Sequence, residues 1–354
     1  MLRLASRHLA ARAVTAPRAA RFGTSVVVVG VAEARATTAK ALRAIGWDAD
    51  DAALQAEIMT AAELCGNNQG LVKMFDPTMM APAAGASKPA IERETANSAV
   101  VNANQAPGML AAVTAADLAA EKALAGNVAV VSAYNTSTSS GQLAFYAERA
   151  ARRGVVCVCC ANSPEFVAAA AGGAPVFGTN PLAVGVPRAG RAPFVFDMAT
   201  SAIALFGVLT AKATGSPLPA GVAYGADGSP TTDAAAALDG GALATFGGHK
   251  GAGLSLAVEL LAGGLSGAAL PGTKKAAKNW GHTFLCLRPD AFVDDFEARA
   301  AAVCDAVRSS GPGIRIPGEN SAEVSAERTA ADELPIPSRI WTSILHTAEH
   351  GLAK

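Results

Sequence analysis

The order of apolar and polar segments between residues 127 and 160 constrains the fold of this chain most strongly. An apolar run at 127–134 is followed by the hydroxyl-rich stretch 135–142, a helical segment at 141–153 and a second apolar run at 154–160. Strand, helix and strand in this order are typical of a βαβ unit. The sequence therefore predicts an α/β protein, in which residues 135–142 follow a strand end where chemistry is often placed.

Composition limits the class of protein further. The 354 residues are 51% hydrophobic and 16% charged, which is enough apolar material for one large core or two moderate ones. Lys and Arg together number 29, as do Asp and Glu, and aromatic residues make up only 5%. A nucleic-acid-binding chain would need a basic surface and aromatic platforms. We therefore expect a globular protein that does not bind nucleic acid.

The beginning of the chain differs in charge from the rest. Residues 1–22 contain five arginines and no acid, and the first acidic residue is Glu33. A basic, amphipathic start of this kind is typical of a mitochondrial transit peptide. We therefore predict that residues 1–22 are a transit peptide and that the mature protein resides in the mitochondrial matrix. A basic helical tail that stays on the protein and a plastid signal are the alternatives.

Two apolar runs are candidates for a membrane span, and neither fits one. The run 25–32 is too short to cross a bilayer, and the run 254–270 contains Glu259 and several glycines. We therefore expect no membrane span.

Two further patterns resemble metal sites. Cys157, Cys159 and Cys160 lie in an apolar run of strand length that has no second ligand pair at zinc-finger spacing. The segment 346–350 matches the H-x-x-E-H zinc pattern, but only four residues follow it to supply a further ligand. We expect a buried strand in the first case, a chance match in the second, and no metal site.

Periodicity and turn residues predict the remaining elements. The interval 76–108 is rich in Pro, Ala, Ser and Asn and shows no clear period. Short apolar strands alternate with Gly and Pro turns over 175–200, and 280–287 is predicted to be a strand. Helices are predicted at 38–65 (as two short helices), 109–125, 202–214, 247–264, 290–309 and 334–350.

A G-x-G-x-x-G fingerprint after a strand and a Walker A motif are both missing, so any nucleotide site must use another scaffold. Six other segments occur in order: 177–181 (FGTNP), 197–201 (DMATS), 230–233 (PTTD), 247–251 (GGHKG), 281–284 (GHTF) and 316–319 (IPGE). Together they resemble the malate/L-lactate dehydrogenase family that is unrelated to Rossmann-type enzymes. That family includes ureidoglycolate and sulfolactate dehydrogenases and cyclic imine reductases.

The resemblance implies a non-Rossmann α/β fold with two domains. A mixed-sheet domain of the NAD(P)-binding type would comprise residues 126–309. A helical domain for substrate binding and dimerisation would combine both chain ends, 23–125 and 310–354. The protein would be a homodimer with its active site in the cleft between the domains, and its cofactor would be NAD or NADP.

The motif segments place small residues, hydroxyls and a lysine at loops and helix starts. Backbone N–H groups at a helix start, together with a lysine, can hold a pyrophosphate closely. Alternatively these residues make only turns and caps, and we expect Asp197 to orient the cofactor loop or cap the helix after DMATS. The cofactor-binding residues implied by the resemblance are Gly178, Thr179, Asn180, Asp197, Thr200, Ser201, Lys250 and Glu319.

The catalytic positions depart from the family pattern. The histidine of an N-S-x-H-x-G pattern, which is the family's acid/base, aligns with Ser139. The histidine and the substrate-binding arginine of a second pattern, D-S-H-G with an arginine three residues later, align with Gln69 and Lys73. A serine hydroxyl or a glutamine amide cannot serve unaided as a base near neutral pH. A lysine can attract a carboxylate but lacks the bidentate fork of arginine.

Further departures accompany these. Phe206 and Gly207 stand where the family has a Gly-Lys pair, and Val222 stands near an expected Trp. His249 and His282 occupy positions where the family has or tolerates histidine, so we expect neither to be a relocated catalyst.

The sequence therefore predicts a catalytically degenerate family member that serves as a structural or accessory component, within a mitochondrial protein complex and with residual NAD(P) binding. The alternative is an active NAD(P)-dependent oxidoreductase of a 2-hydroxy or 2-oxo acid with an altered acid/base.

Overall fold

The computed structural model describes residues 25–67, 69–273 and 278–352. The predicted transit peptide, residues 1–22, lies outside the described residues. Within the described ranges the chain forms three β-sheets, and its buried side chains form two large hydrophobic clusters.

A seven-stranded mixed sheet forms the largest of these sheets. In spatial order its strands, numbered along the chain, are β2 (Ala90–Glu94), β3 (Ser98–Asn102), β4 (Val128–Thr136), β12 (Trp280–Leu287), β5 (Val156–Ala161), β8 (Leu182–Val186) and β9 (Phe194–Met198). β12 is antiparallel to both β4 and β5, so β4 and β5 run in the same direction. Helix α4 (Ala144–Ala151) connects them. The predicted βαβ unit is therefore present, with β12 inserted between its two strands.

A four-stranded sheet has its own core. Its strands in spatial order are β10 (Ala223–Tyr224), β11 (Ala242–Leu243), β6 (Val167–Ala168) and β7 (Pro175–Phe177). Helices α5 (Leu205–Thr214) and α6 (Ala234–Leu238) contribute Val208 and Ala237 to the same hydrophobic cluster. Val222, the residue near the family's expected Trp, packs against this cluster.

The two ends of the described chain come together. β1 (Val26–Val29) pairs antiparallel with β13 (Leu334–Pro337), and helix α1 (Val31–Ala44) packs against both α2 (Ala49–Leu64) and α10 (Ser338–His350). Asp48 caps α2, since its carboxylate accepts the Asp51 N–H at 2.8 Å. Both chain ends therefore contribute to one helical region.

The remaining helices complete the fold. α3 (Gly108–Gly126) packs against β4 and β12, one residue longer at each end than predicted. α7 (His249–Val258) continues directly as a π-helix (Glu259–Gly264), and short 3₁₀ turns span Leu71–Phe75 and Pro77–Met80. α8 (Phe296–Ser309) and α9 (Glu319–Ala331) contain no buried residue.

The structure differs from the sequence prediction over 76–108 and at the chain end. The interval 76–108 contains strands β2 and β3, so the seven-stranded sheet begins inside the segment 23–125 that was expected to be helical. β2 is an edge strand, and all five of its residues are exposed, which removes the apolar alternation that would have identified it. The predicted closing helix at 334–350 begins only at Ser338, because 334–337 form β13.

The main core is built largely from alanines and from residues of the central strands. Cys157 and Cys159 of β5 are buried there together with Phe284 of β12 and Tyr146 of α4, which confirms the prediction of a buried strand at the cysteines. No helix among the described residues is long and apolar enough to cross a membrane.

Candidate active site

Three predicted cofactor segments meet where β8 begins and β9 ends. We call this the cofactor junction and define it as residues 178–180, 200–201 and 245–251. The Thr200 N–H donates to the Thr179 carbonyl at 2.9 Å, and its hydroxyl donates to the Asn180 carbonyl at 3.0 Å. Ser201 pairs with Thr245 in an isolated antiparallel bridge. The structure therefore brings GTNP, ATS and the GGHKG segment together.

A buried polar network fixes the shape of the junction from behind. The Asn180 side-chain amide donates to Glu259 at 2.9 Å and to the Ser255 carbonyl at 3.1 Å, and the Ser255 hydroxyl donates to the Thr200 hydroxyl at 2.8 Å. Asn162 donates to the other carboxylate oxygen of Glu259 at 3.2 Å. Asn180, Thr200 and Glu259 are all buried. Their side chains hold the loops in place instead of facing a ligand.

The sequence reasoning missed Glu259 as part of the site. Its only signal was a carboxylate inside the apolar run 254–270, where an acid is expensive to bury without partners. The structure explains it, because two asparagine amides donate to it where the α-helix changes to a π-helix.

Gly178 is required by its surroundings. A Cβ atom at this position would lie 2.0 Å from the Ser163 hydroxyl oxygen and 2.6 Å from the Ser163 carbonyl oxygen. The same Ser163 hydroxyl accepts the Thr179 N–H at 3.1 Å. The first residue of GTNP therefore allows two loops to approach more closely than any side chain would permit.

The exposed face of the junction is the start of helix α7. Gly247 and Gly248 have φ angles of +57° and +60°, and helix α7 begins at His249, with Lys250 in its first turn. Gly247, Gly248, His249 and Lys250 are all exposed. A helix start with accessible backbone and a lysine in its first turn is suited to binding an anionic group such as a pyrophosphate.

Asp197 contacts the start of the helix that follows the hydroxyl-rich stretch 135–142. Its carboxylate accepts the Ala144 N–H at 2.9 Å and so caps helix α4, which follows the hydroxyl-rich loop. Burial raises its pKa, while hydrogen bonds from Ala144 and Leu143 act in the opposite direction. The expectation that Asp197 caps the helix after DMATS is therefore wrong. It caps the helix after residues 135–142 instead.

Glu319 does not join the cofactor junction. Its carboxylate accepts from Arg188 at 3.0 Å and from Arg308 at 2.6 Å. Arg188 follows β8, whereas Asn180 precedes it, and a strand of this length spans about 16 Å. The match to IPGE indicated a family segment but could not indicate at which end of the strands it lies.

Two further loops carry the positions of the family's catalytic residues. We call residues 67–73 and 135–142 the cleft loops. The Asn67 side chain donates to Gln142 at 3.0 Å, and a Cβ at Gly141 would lie 3.4 Å from the Gln69 carbonyl oxygen. Residue 68 lies outside the described residues. The structure therefore brings the loops of Gln69 and Ser139 together, as the resemblance implied.

The hydroxyl groups of 135–142 are mostly turned inward. The Thr136 hydroxyl donates to the Trp280 carbonyl at 2.9 Å, and Ser137, Thr138 and Ser140 are buried. Ser139 alone among the five serines and threonines of this stretch is exposed. This geometry does not present a row of hydroxyls to a phosphate, and of the five side chains only that of Ser139 is exposed.

Lys73 has the most unusual environment in the cleft loops. It is 4% exposed, and its Nζ has no hydrogen-bond partner among the residues that the structure describes. The Nζ lies 4.9 Å from the centre of the Phe206 ring. Burial lowers the pKa of Lys73 to about 8. Sequence reasoning identified both residues as departures from the family pattern but could not show that they touch.

None of the described histidines belongs to the cleft loops. His282 is 2% exposed within β12, stacks on Phe284 with 6.5 Å between ring centres, and its burial lowers its pKa to about 4. It is therefore neutral near pH 7. His346 and His350 lie on α10 with their rings 4.7 Å apart. Within the described part of the chain, no group of three or more His, Cys, Asp or Glu is placed to hold a metal ion.

The structure is an α/β fold in which the GTNP, ATS and GGHKG segments meet at the strand ends and the two cleft loops contact each other. The malate/L-lactate dehydrogenase family matches residues 29–345, and this chain belongs to that family. Its members include NAD(P)-dependent dehydrogenases and reductases of 2-hydroxy and 2-imino acids.

Individual relatives agree with this assignment. An L-sulfolactate dehydrogenase from Methanothermobacter thermautotrophicus is 36% identical over 73% of this chain and 76% of its own length. A malate/(S)-sulfolactate dehydrogenase from Methanothermus fervidus is 30% identical over 83% of this chain and 89% of its own. The solved structure of a Δ1-piperideine-2-carboxylate reductase from Pseudomonas syringae has 30% identity and a TM-score of 0.81, and it covers 91% of this chain and 99% of its own.

Proposed function

We propose that this chain binds NAD or NADP but is impaired in hydride transfer, and that it serves as an accessory or structural component in the mitochondrial matrix. One observation carries the proposal. Lys73, at the position of the family's substrate-binding arginine, is buried under the ring of Phe206. The ammonium group is buried in this conformation, so a substrate carboxylate needs a rearrangement around it, such as movement of that ring, to reach it.

The neighbouring positions support the same conclusion. Ser139 and Gln69 stand where the resemblance implies histidines, and neither side chain titrates near neutral pH. A positioned acid/base contributes about 10²- to 10⁴-fold in rate. A chain with this cleft should therefore reduce 2-oxo acids far more slowly than its relatives.

The cofactor junction supports retained dinucleotide binding. Thr200, Ser255 and Glu259 remain linked by buried hydrogen bonds, and Lys250 remains exposed at the start of α7. These contacts concern the protein alone, so the binding experiment uses both NADH and NADPH.

The second candidate function is an active oxidoreductase with an altered acid/base. Lys73 favours it, because an amine with a pKa of about 8 can release and accept a proton near neutral pH. This candidate requires that Phe206 leave the lysine during turnover.

The test combines binding with turnover. Purified protein is titrated with NADH and with NADPH, and a panel of 2-oxo acids and cyclic imine carboxylates is then assayed with the cofactor that binds. We expect cofactor binding with little or no turnover. Turnover above about 1 s⁻¹, which is ordinary for enzymes, would contradict the proposal and favour the second candidate.

A gain-of-function variant sharpens the test. The combined changes Ser139→His, Gln69→His and Lys73→Arg restore the family's side chains, and Phe206→Gly opens the space above residue 73. We expect detectable reduction only in the fourfold variant. The triple variant that keeps Phe206 is the matched control, because it has the same restored groups beneath the unmoved ring.

We include a homodimer and mitochondrial import in the proposal. Helix α8 has no buried residue, and an isolated helix of this length is marginal in water, so a partner surface would stabilise it. Leu256, Leu260 and Leu265, on and just after α7, are also exposed. Light scattering of the protein without residues 1–22 should give twice the chain mass. Import into isolated mitochondria should require residues 1–22.

A further inference from the structure

We propose that Lys73 forms an imine with small 2-oxo acids. The inference goes beyond the proposed function, because it needs neither a bound dinucleotide nor hydride transfer. It assigns amine chemistry to a side chain that has replaced a purely anion-binding one.

The first argument is the isolation of the amine from acids. Lys122 pairs with Glu94 at 2.7 Å and Lys88 pairs with Asp48 at 3.2 Å, as lysines commonly do. Lys73 has no such carboxylate, and its Nζ has no hydrogen-bond acceptor within the described ranges. A buried ammonium without a counter-ion or acceptor is unfavourable, so the neutral amine is the better-matched form.

The second argument is the fraction of nucleophile that results. With a pKa of about 8, close to a quarter of Lys73 is neutral at pH 7.5. An unperturbed lysine, with a pKa of about 10.4, is neutral in only about 0.1% of molecules. Imine formation requires the lone pair of the neutral amine, so Lys73 has an advantage over lysines in water.

The third argument is access. Phe206 is only half-buried, lies in the first turn of α5, and its ring centre is 4.9 Å from the Lys73 Nζ, so movement of this partly exposed ring is the step that would admit a ligand to the amine. Lys73 belongs to the 3₁₀ turn that follows Gln69, and the loop of Gln69 touches the loop of Ser139. The exposed Ser139 hydroxyl is a hydrogen-bond donor for the carboxylate of an entering ligand.

The step balances without an oxidant or reductant. The neutral Nζ attacks the C2 carbonyl carbon of the 2-oxo acid and forms a carbinolamine. One Nζ proton moves to the oxygen as the carbinolamine forms, and the resulting hydroxyl group then leaves with the second Nζ proton as one molecule of water. A C=N bond replaces the C=O bond, and the reaction reverses when water returns.

The experiment traps the imine chemically. The whole chain, free of nucleotide, is incubated with pyruvate and sodium cyanoborohydride at pH 7.5, digested, and analysed by mass spectrometry for reduced pyruvyl-lysine. We expect Lys73 to be labelled about tenfold or more above exposed lysines such as Lys88 and Lys250, given its larger neutral fraction.

Variants identify the site. Lys73→Arg keeps the positive charge but cannot form the imine, so labelling at this peptide should vanish. Phe206→Gly should accelerate labelling of Lys73 several-fold, whereas Phe206→Leu, which keeps an apolar cover, should accelerate it less. Lys88→Ala, at an exposed lysine outside both sites, should leave labelling of Lys73 unchanged. Circular dichroism of each variant confirms that the fold is kept.

Two results would overturn the inference. One is labelling spread over exposed lysines with no excess at Lys73, and the other is no adduct at Lys73 even in the Phe206→Gly protein. Neither result bears on hydride transfer, which is measured separately with NADH or NADPH and without cyanoborohydride. The failure of one proposal is therefore distinguishable from the failure of the other.

Discussion

The cofactor junction and the cleft loops lie in the same fold but differ in what their buried polar atoms contact. Behind the junction, Thr200 is linked to Ser255 directly, and Asn180 links Ser255 to Glu259, through hydrogen bonds of 2.8 to 3.1 Å. In the cleft loops, the Lys73 Nζ and the Ser137 and Thr138 hydroxyls have no partner among the described residues. Asn180 Oδ1 also has no partner among the described residues, but its amide nitrogen donates to Glu259 and to the Ser255 carbonyl, whereas the Lys73 ammonium group has no hydrogen bond at all there.

This difference predicts which substitutions should be costly to stability. Removing one partner of a buried hydrogen bond leaves the other unsatisfied and costs about 1–3 kcal/mol. Substitutions of these buried residues should therefore destabilise the fold, whether or not the chain is active. Ser139 is exposed, so a substitution there should cost little stability.

The largest expected effect is on the free energy of unfolding, and it comes from a close backbone approach in the junction. Gly178→Ala should lower the free energy of unfolding by about 3–5 kcal/mol, because its Cβ would lie 2.0 Å from the Ser163 hydroxyl oxygen and close to the Ser163 carbonyl. Urea unfolding of both proteins gives the difference. Gly253→Ala in helix α7 is the control, since nothing lies within 4 Å of a Cβ there. The control should be neutral or slightly stabilising, and an equal loss in both variants would refute the close-approach argument.

The next effect sharpens the description of the cleft. Burial lowers the pKa of Lys73 from 10.5 to about 8, so the unfolded chain binds more protons between these values and stability rises with pH across that window. Lys73→Met should therefore stabilise the protein by about 3 kcal/mol at pH 7, less any packing change, and the gain should shrink towards pH 10.5. Unfolding is measured at several pH values. A gain that does not depend on pH would show that packing, not charge burial, is responsible.

A third effect concerns the sheet between the two regions. Burial lowers the pKa of His282 from 6.5 to about 4, so the unfolded chain binds more protons between these pH values and stability falls as the solution is acidified through them. We expect His282 to account for about 2–3 kcal/mol of the loss between pH 6.5 and 4. His282→Phe, which retains a ring against Phe284, should remove that part of the acid dependence. Identical pH profiles for the two proteins would exclude it.

The smallest effect tests the exposed face of the junction. Lys250→Ala should weaken NADH or NADPH binding by about tenfold or more, as expected for the loss of a charge-assisted contact of about 1.5 kcal/mol. Stability should hardly change, because Lys250 is exposed. Calorimetry measures the affinity, and Lys212→Ala, another exposed lysine, is the control. Unchanged affinity would mean that GGHKG is only a helix start.

How far the sequence predicted the structure depended on whether the signal was local. The strand at 280–287 and the helix at 109–125 were predicted almost to the residue, because apolar period and flanking turns specify them. β2 was missed, since an exposed edge strand carries no apolar alternation. In the site, the convergence of GTNP, ATS and GGHKG followed from the family resemblance, as did the proximity of Gln69 to Ser139.

What the sequence could not supply were contacts between distant segments. Lys73 and Phe206 are far apart along the chain, and nothing in either neighbourhood indicates that an aromatic ring covers an amine. Glu319 looked like a site residue because its motif matched, but its position follows from ion pairs with Arg188 and Arg308. Tertiary neighbours also determined the role of Asp197, which caps α4 across the fold.

The distribution of the six cysteines has a practical consequence. Cys157, Cys159, Cys160 and Cys286 are buried in the two central strands β5 and β12, whereas Cys65 and Cys304 are half-exposed near helix ends or on a helix surface. A thiol reagent should therefore consume two equivalents in the native protein and the remaining four only when the central sheet opens. The rate at which the last four equivalents are consumed reports how often those strands separate, without an engineered label.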